Sequence, residues 1–505
     1  MIIKTEKDGK MRKNLVAKPI ILVLLTAIIS LSALALTACG SGAETPLNHY
    51  RISAVYDEQN GSVSADMNLS YVNATDTTLG EVCMHLYPSA FRQDARFFAT
   101  PKDKFDLVYP KGISYGGIEI KSVSVGGKKA NFSITGDDEN ILAVKLDSEL
   151  FPDERVEIGV EFVSTLPTAK HRFGRYNGIA NLGNWYPVAC VYDDGGFNTE
   201  PYYDLGDPFY SDCADYEVKI AVNKSLVVAG SSAGVRRESN NLAEYIFTGK
   251  KLRDFALCIG EFNCLKTVAD GVEINYFYPK NNELERDKTA LNTAVDAIKT
   301  YSQLFGKYPY KTYSVVRTEF FHGGMEYAGL AMLSSDLNPS LFTDALIHET
   351  AHQWWYGVVG NDQVNHAWLD ESLTEYSTGL FYEKNARYGV DSNKRLADSL
   401  ASYIVYFDKT LPAKKCDIMN RSLAQFNGET EYAFCSYVKG QLMLTDLRKI
   451  VGDERFFLSL KNYYSAYAYK TATPDDLIGI FEKTCAKPLK DYFYSWLDGK
   501  AQSFA

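Results

Sequence analysis

The stretch that most constrains this chain is Leu346-Ile347-His348-Glu349-Thr350-Ala351-His352-Gln353-Trp354-Trp355, followed downstream by Trp368-Leu369-Asp370-Glu371-Ser372. On a helix, four-residue spacing stacks His348 and His352 on one face, one turn apart. Two imidazoles so placed can hold one zinc ion, with Glu349 beside it. Hydrolytic zinc sites take three protein ligands and leave a fourth position open. Glu371, separated from His352 by eighteen intervening residues, is the candidate for the third. Helical signals flank the histidines, with Gly357 as a stop. Asp370 is placed to cap a second helix that ends at Gly389. Two antiparallel helices joined by a loop would return Glu371 to the histidines, so the pattern predicts a helical hairpin as well as a metal site.

The N-terminus reads as an address rather than part of a fold. Lys4, Lys7, Lys10, Arg12, Lys13 and Lys18 form a basic region, and Pro19 to Ala38 follow without a charge. Leu36-Thr37-Ala38-Cys39-Gly40 then sets small residues before a cysteine, similar to the lipobox of a bacterial lipoprotein signal. Residues 1–38 are expected to be a signal peptide, Cys39 the lipidated new N-terminus and 39–48 a tether. The alternative is a single membrane span, for which about 20 apolar residues suffice. Either reading tethers the bulk of the chain to a cell membrane outside the bacterial cytoplasm; the first makes it lipid-anchored on the extracytoplasmic face. The formal net charge is −10, and removing the basic leader makes it more negative, so nucleic acid is not an expected partner. Apart from Cys39 there are eight cysteines and no C-x-x-C pair, which predicts neither a cysteine metal site nor a disulfide scaffold. No pairs are assigned, and oligomeric state is not legible.

At 505 residues, 46% hydrophobic and 23% charged, the chain is globular and too long for one core. From Tyr50 the pattern is of strands. Asn60-Gly61 is a hairpin signal, and Ser62–Val72 alternates after it. Runs at 141–146, 156–162, 216–222 and 243–247 continue the pattern with no long amphipathic helix. Leu284 to Phe305 then carries apolar residues at helical period, ended by Gly306. Tyr313–Val316 reads as a strand, and helical patterns dominate from Ser340 onward. The fold class is α+β and multidomain: a β-sandwich-like domain over 49–265, followed by a mainly helical domain over 266–505.

Several motifs together carry a family resemblance. H-E-x-x-H, eighteen residues and Glu is similar to the zinc signature of the aminopeptidase N (membrane alanyl aminopeptidase) family, within the gluzincin clan of metallopeptidases. Gly323-Gly324-Met325-Glu326-Tyr327 resembles its exopeptidase motif Gly-x-Met-Glu-Asn, and Tyr437-Val438-Lys439-Gly440 its Tyr-x-Lys-Gly segment. Asn184-Trp185-Tyr186-Pro187 and Gly206-Asp207-Pro208-Phe209-Tyr210 look like segments of its N-terminal β-domain. The resemblance implies a thermolysin-like catalytic domain and a zinc aminopeptidase that releases N-terminal residues from peptides. It implies one Zn2+ per chain on His348, His352 and Glu371, with Glu349 as general base and then acid. It implies that Tyr437 donates to the developing oxyanion. Substrate would lie along Gly323, Gly324, Met325 and Glu326, the last binding the free α-amine, a group with pKa about 8 that is largely protonated at neutral pH.

Departures from the family pattern are Tyr327 for asparagine, Asp370 for asparagine and Ser372 for glycine. A further amine-binding residue from the N-terminal domain is implied but not placed. The sequence ends 68 residues after Tyr437, short of the large helical domain of longer members, which predicts a more open cleft. Glu375 is read as a solvated helix charge, with orientation of a ligating histidine as the alternative. His322 and His366 are read as loop residues, and Trp354, Trp355 and Trp368 as packing. The rival functions are a zinc endopeptidase or epoxide hydrolase on the same site, or a non-catalytic peptide-binding lipoprotein. The side-chain preference of the site is not legible.

Overall fold

In the computed structural model, residues 46–280, 283–409 and 417–500 are described. The signal segment 1–38, Cys39 and most of the tether lie outside the described residues. Among the described residues no helix is long and apolar enough to cross a membrane.

Alternation of apolar and polar side chains builds the first half. Asn48–Asp57 buries Tyr50, Ile52, Ala54 and Tyr56 and turns the residues between them outward. It pairs antiparallel with Ser62–Val72 across the Asn60-Gly61 turn, and parallel with Ala214–Asn223. The resulting eight-stranded sheet runs in the order Gly234–Ser239, Leu242–Leu252, Ala214–Asn223, Asn48–Asp57, Ser62–Val72, Arg155–Thr165, Gly117–Val125, Lys128–Lys129. Two four-stranded sheets pack with it around one apolar core. One contains Ile179–Leu182 and Leu257–Gly260; the other contains Leu79–His85 and Ile141–Leu150. The architecture is sandwich-like, with the smaller face divided in two.

The second half begins with a five-stranded sheet, ordered Phe262–Ala269, Val272–Pro279, Thr312–Thr318, Leu330–Ser334, Gly324–Met325. Helix α1 (Leu284–Leu304) is the crossover between the parallel strands Val272–Pro279 and Thr312–Thr318. Gly324–Met325 lies antiparallel at the edge. The longer helices that follow are α2 (Pro339–Ala351), α3 (Trp368–Lys384), α4 (Ser392–Lys409), α5 (Lys439–Val451) and α6 (Asp453–Tyr467). They pack with α1 and this sheet around a second apolar core that extends to Leu497. A sheet-rich half thus precedes a mainly helical one, as the change of periodicity predicts.

Two predicted helix limits are corrected. Helix α2 ends at Ala351 with His352 as its C-cap, not at Gly357. The chain turns there so that both tryptophans are buried with their ring N–H groups bonded: Trp354 to the Gly306 carbonyl at 2.8 Å and Trp355 to Ser377 Oγ at 3.0 Å. Helix α3 starts at Trp368 and ends at Lys384. Asp370 is therefore not its cap; it is buried in the first turn, accepting from Asn361 and Gln363. Gly389, with φ +70°, closes a separate short turn after α3.

Candidate active site

Helix α2 is fixed at its start by Asn338, whose side chain accepts from the backbone N–H groups of Ser340 and Leu341, with Pro339 in the first turn. From α1, Tyr301 Oη donates to the Ile347 carbonyl at 3.2 Å and the Ser377 carbonyl at 3.3 Å, tying α2 to α3. The hairpin predicted from the metal pattern is therefore present, and it brings His348, His352 and Glu371 together.

The two imidazole Nε2 atoms are 3.2 Å apart. Glu371 Oε2 stands 3.4 Å from His348 Nε2 and 3.3 Å from His352 Nε2. Three donors at zinc distances of about 2.0–2.1 Å on corners of a tetrahedron are about 3.3 Å apart. The triangle observed has that size. Glu371 Oε2 is buried and has no hydrogen-bond partner among the described residues. An orphaned carboxylate oxygen facing two imidazole nitrogens is what a cation cage requires, so these residues fit one zinc ion.

The outer faces of the histidines are also held. His352 Nδ1 is 3.0 Å from the Trp355 carbonyl and 3.1 Å from Thr374 Oγ1. A proton on Nδ1 bonded to that carbonyl leaves Nε2 free as the ligand. His348 Nδ1 is 3.4 Å from Glu375 Oε2, and Arg395 of α4 holds Glu375 Oε1 at 2.7 Å. Glu375 is thus not the solvated charge the sequence suggested: its partner, Arg395, is twenty residues away and invisible to local pattern.

Glu349 is 6% exposed, and its Oε2 has no partner among the described residues. Its carboxylate lies against Gly324, where an added Cβ would come within 2.3 Å of Oε1. Burial pushes its pKa up, with His348 and His352 opposing. Burial also acts to raise the Glu371 carboxyl, but the imidazoles on either side outweigh it and hold it below the ordinary range. Tyr437 Oη donates to Glu371 Oε1, and its ring stacks on His348 with centroids 5.7 Å apart.

Glu326 is 3% exposed, and its Oε1 accepts from Gln363 Nε2 at 2.9 Å. Gln363 also bonds Asp370 Oδ2 at 2.7 Å, linking Glu326 to the residue beside Glu371. Met325 is a buried residue of the edge strand, while Gly323 and Gly324 line the cleft. Burial, then the neighbouring Asp207, raises the Glu326 carboxyl. Asp207 also lines the cleft, and Arg172 Nη1 holds its Oδ1 at 2.6 Å. The sequence singled out the Asp207 segment without giving the residue a task; Gln363 it missed altogether. Tyr327 is fully buried and packs on Gly183, where an added Cβ would lie 1.8 Å from Oη. His322 lines the cleft, whereas His366 Nδ1 is 2.7 Å from Asn420 Oδ1.

The cleft has a volume of about 790 Å³. Its walls include Phe97, Tyr203 and Leu205 from the sheet-rich half and Leu423, Phe426 and Tyr432 from the helical half. Leu341, which also lines the cleft, is 54% exposed.

Residues 289–496 match the Peptidase family M1 domain. The M1 match contains every candidate zinc ligand, Glu349, Glu326 and Tyr437. Among curated relatives, aminopeptidase M1-B of Oryza sativa subsp. japonica is 25% identical over 262 residues, 48% of this chain and 29% of that protein. Aminopeptidase N of Streptomyces lividans is 28% identical over 212 residues, 38% of this chain and 23% of that protein. The chain thus spans under a third of the length of these relatives. Among solved structures, the M1 zinc metallopeptidase of Deinococcus radiodurans superimposes with a TM-score of 0.64 at 18% identity, over 90% of this chain and 95% of that one. A variant of it was solved with a Tyr-Ser-Ala substrate. The likeness shows that this chain shares the fold of that structure over most of its length.

Proposed function

We propose that this protein is a zinc-dependent aminopeptidase that releases N-terminal residues from peptides. The observation that carries the reading is the joint placement of a zinc-sized donor triangle, a buried Glu349 beside it, Asp207 on the cleft wall, and a buried Glu326 whose carboxylate lies within 4.8 Å of Glu349 and His352. Zinc, when bound by His348, His352 and Glu371, polarises a carbonyl and acidifies water. Glu349 takes the proton from the attacking water and passes it to the leaving nitrogen, acting as base and then acid. Tyr437 supplies a hydroxyl donor at the edge of the donor triangle, where charge develops on the carbonyl oxygen. Glu326 and Asp207 receive the substrate ammonium, which makes the site count from the N-terminus and disfavours the endopeptidase and epoxide hydrolase readings. The edge strand Gly324–Met325 offers backbone partners to an extended peptide. The M1 domain match and the aminopeptidase relatives support this reading, as does the peptide held by the Deinococcus radiodurans variant.

The proposal extends to location: a lipid on Cys39 anchors the enzyme at the extracytoplasmic face of a bacterial membrane, supported by the leader and lipobox-like sequence. The enzymatic reading is tested by metal analysis with hydrolysis of an aminoacyl anilide. One zinc per chain, activity lost to a chelator and restored by zinc are expected. Full turnover by the metal-free protein or by Glu349→Gln would refute it.

A further inference from the structure

Tyr437 lies on an unusual piece of backbone. Ala433–Val438 is a π-helical turn between the short helix Glu429–Tyr432 and α5. Such turns break the regular hydrogen-bond ladder, are scarce, and cluster at functional sites. They persist only where the surroundings hold them. Here one segment, 417–421, grips the turn at both ends. Before it, Arg421 Nη2 bonds Glu431 Oε1 at 2.8 Å and approaches Cys435 Sγ at 3.7 Å. After it, Lys439 Nζ donates to Asp417 Oδ2 at 2.7 Å and to the Asp417 carbonyl at 2.6 Å. Asp417 Oδ1 accepts from Tyr403 Oη of α4.

Two contacts join this arrangement to the metal ligands. Ser372 Oγ, next to Glu371, donates to the Ser436 carbonyl at 2.8 Å. Gly440 packs so closely on α3 that an added Cβ would lie 1.8 Å from Ser372 Oγ. Lys439 is fully buried, Asp417 is 6% exposed, and neither lines the cleft. An ion pair this deep gains little net stability, because desolvating both charges offsets their attraction. What two hydrogen bonds from one buried ammonium, to the side chain and to the carbonyl of Asp417, do supply is a fixed position for the turn.

We propose that Lys439, held by Asp417, is a positioning residue for Tyr437. The pair fixes the π-helical turn so that the phenol hydroxyl is aimed at the donor triangle of His348, His352 and Glu371. Lys439 acts through Tyr437 and does not touch substrate. The inference rests on the role given to Tyr437 under the proposed function, and a double-mutant cycle separates the two.

The measurement is steady-state hydrolysis of an aminoacyl anilide by the zinc-loaded full chain carrying Lys439→Met, Tyr437→Phe or both. With Tyr437 present, Lys439→Met is expected to lower kcat on the order of 100-fold, the cost of misplacing a reacting group by about 1 Å. KM should stay within about twofold and bound zinc should not change. With Tyr437→Phe in place, Lys439→Met should cost less than about threefold, since the hydroxyl it aims is gone. Asp417→Asn, isosteric and neutral, runs the same cycle if Lys439→Met is not recovered folded, with its kcat loss also confined to the Tyr437 background. Equal losses in both backgrounds, or an unchanged kcat on the Tyr437 background, overturn the positioning role alone. Parental kcat in Tyr437→Phe overturns the oxyanion assignment and the positioning role with it.

Discussion

Gly324→Ala displaces the general base from a cleft-lining position that is not a metal ligand. The φ of Gly324 is not in the left-handed region, so alanine meets no backbone strain there. The conflict lies with Glu349: the new Cβ would stand 2.3 Å from Oε1, 2.4 Å from Cγ and 2.5 Å from Cδ. Ordinary carbon contacts are about 3.5–4.0 Å, so one partner must retreat by about 1 Å. The strand is the stiffer partner, because Gly324 and Met325 pair with Leu333 and Met332, and Met325 is fully buried. The carboxylate end of Glu349 therefore moves. Folding is little affected, near the low end of the ~1–3 kcal/mol that overpacking costs. Catalysis suffers more, because a 1 Å displacement of a reacting group costs on the order of 100-fold, or about 2.7 kcal/mol in the barrier. The assay combines kcat and KM on an aminoacyl anilide, zinc content and thermal unfolding. The expected result is a kcat about 100-fold lower with parental zinc and a Tm within a few degrees. A kcat within about threefold of the parent, or an activity loss that merely follows a loss of zinc, would refute the placement of the base.

Glu375→Ala frees the outer nitrogen of His348 and should weaken zinc binding by about 10- to 100-fold; a chelating dye in competition reads this, and an unchanged affinity would contradict the role of Glu375. Asp207→Asn should raise KM for a free-amine substrate by about tenfold, the scale of one charge-assisted hydrogen bond, with kcat changed much less; an unchanged KM would remove Asp207 from the amine site. Asp254, away from the metal, gives a pH signature. Burial raises its carboxyl to about 7, against hydrogen bonds from Tyr356 Oη and the Ala328 N–H. The folded state then keeps a proton that the unfolded state releases, so this stability is full below about pH 4 and is lost as pH rises through about 7, by at most about 1.4 kcal/mol per pH unit. Urea unfolding at pH 5 and pH 8 should show that Asp254→Asn shrinks the difference; a parental difference would refute the assignment.

The legible parts of the site were those carried by short-range pattern. His348 and His352 are one helical turn apart, Glu371 sits at the start of the next helix, and Glu326 and Tyr437 stand in recognisable motifs. What stayed hidden depends on long-range partners. Glu375 looks like any helix-surface glutamate until Arg395 of α4 is brought to it. Gln363 lies in a loop without periodicity, yet it bridges Glu326 and Asp370. Asp207 reaches the cleft because Arg172, thirty-five residues earlier in the chain, holds it there. The strands of the β-rich half are legible from alternation, but not their partition into separate sheets. That depends on pairings such as Leu79–His85 with Val188–Ala189, which no local signal specifies. The helical pattern runs past the end of α2 because burial of Trp354 and Trp355 turns the chain at His352.

The central claim is that this cleft reads a free amine before zinc-assisted hydrolysis. The most direct measurement compares kcat/KM for an aminoacyl anilide with a free α-amine and for its N-acetylated form, using the zinc-loaded protein. The account predicts a preference for the free amine of at least about 100-fold, since blocking it leaves the buried Glu326 without its cation. Glu326→Ala should erase most of that preference. Equal hydrolysis of the two substrates by the parent protein would contradict the account.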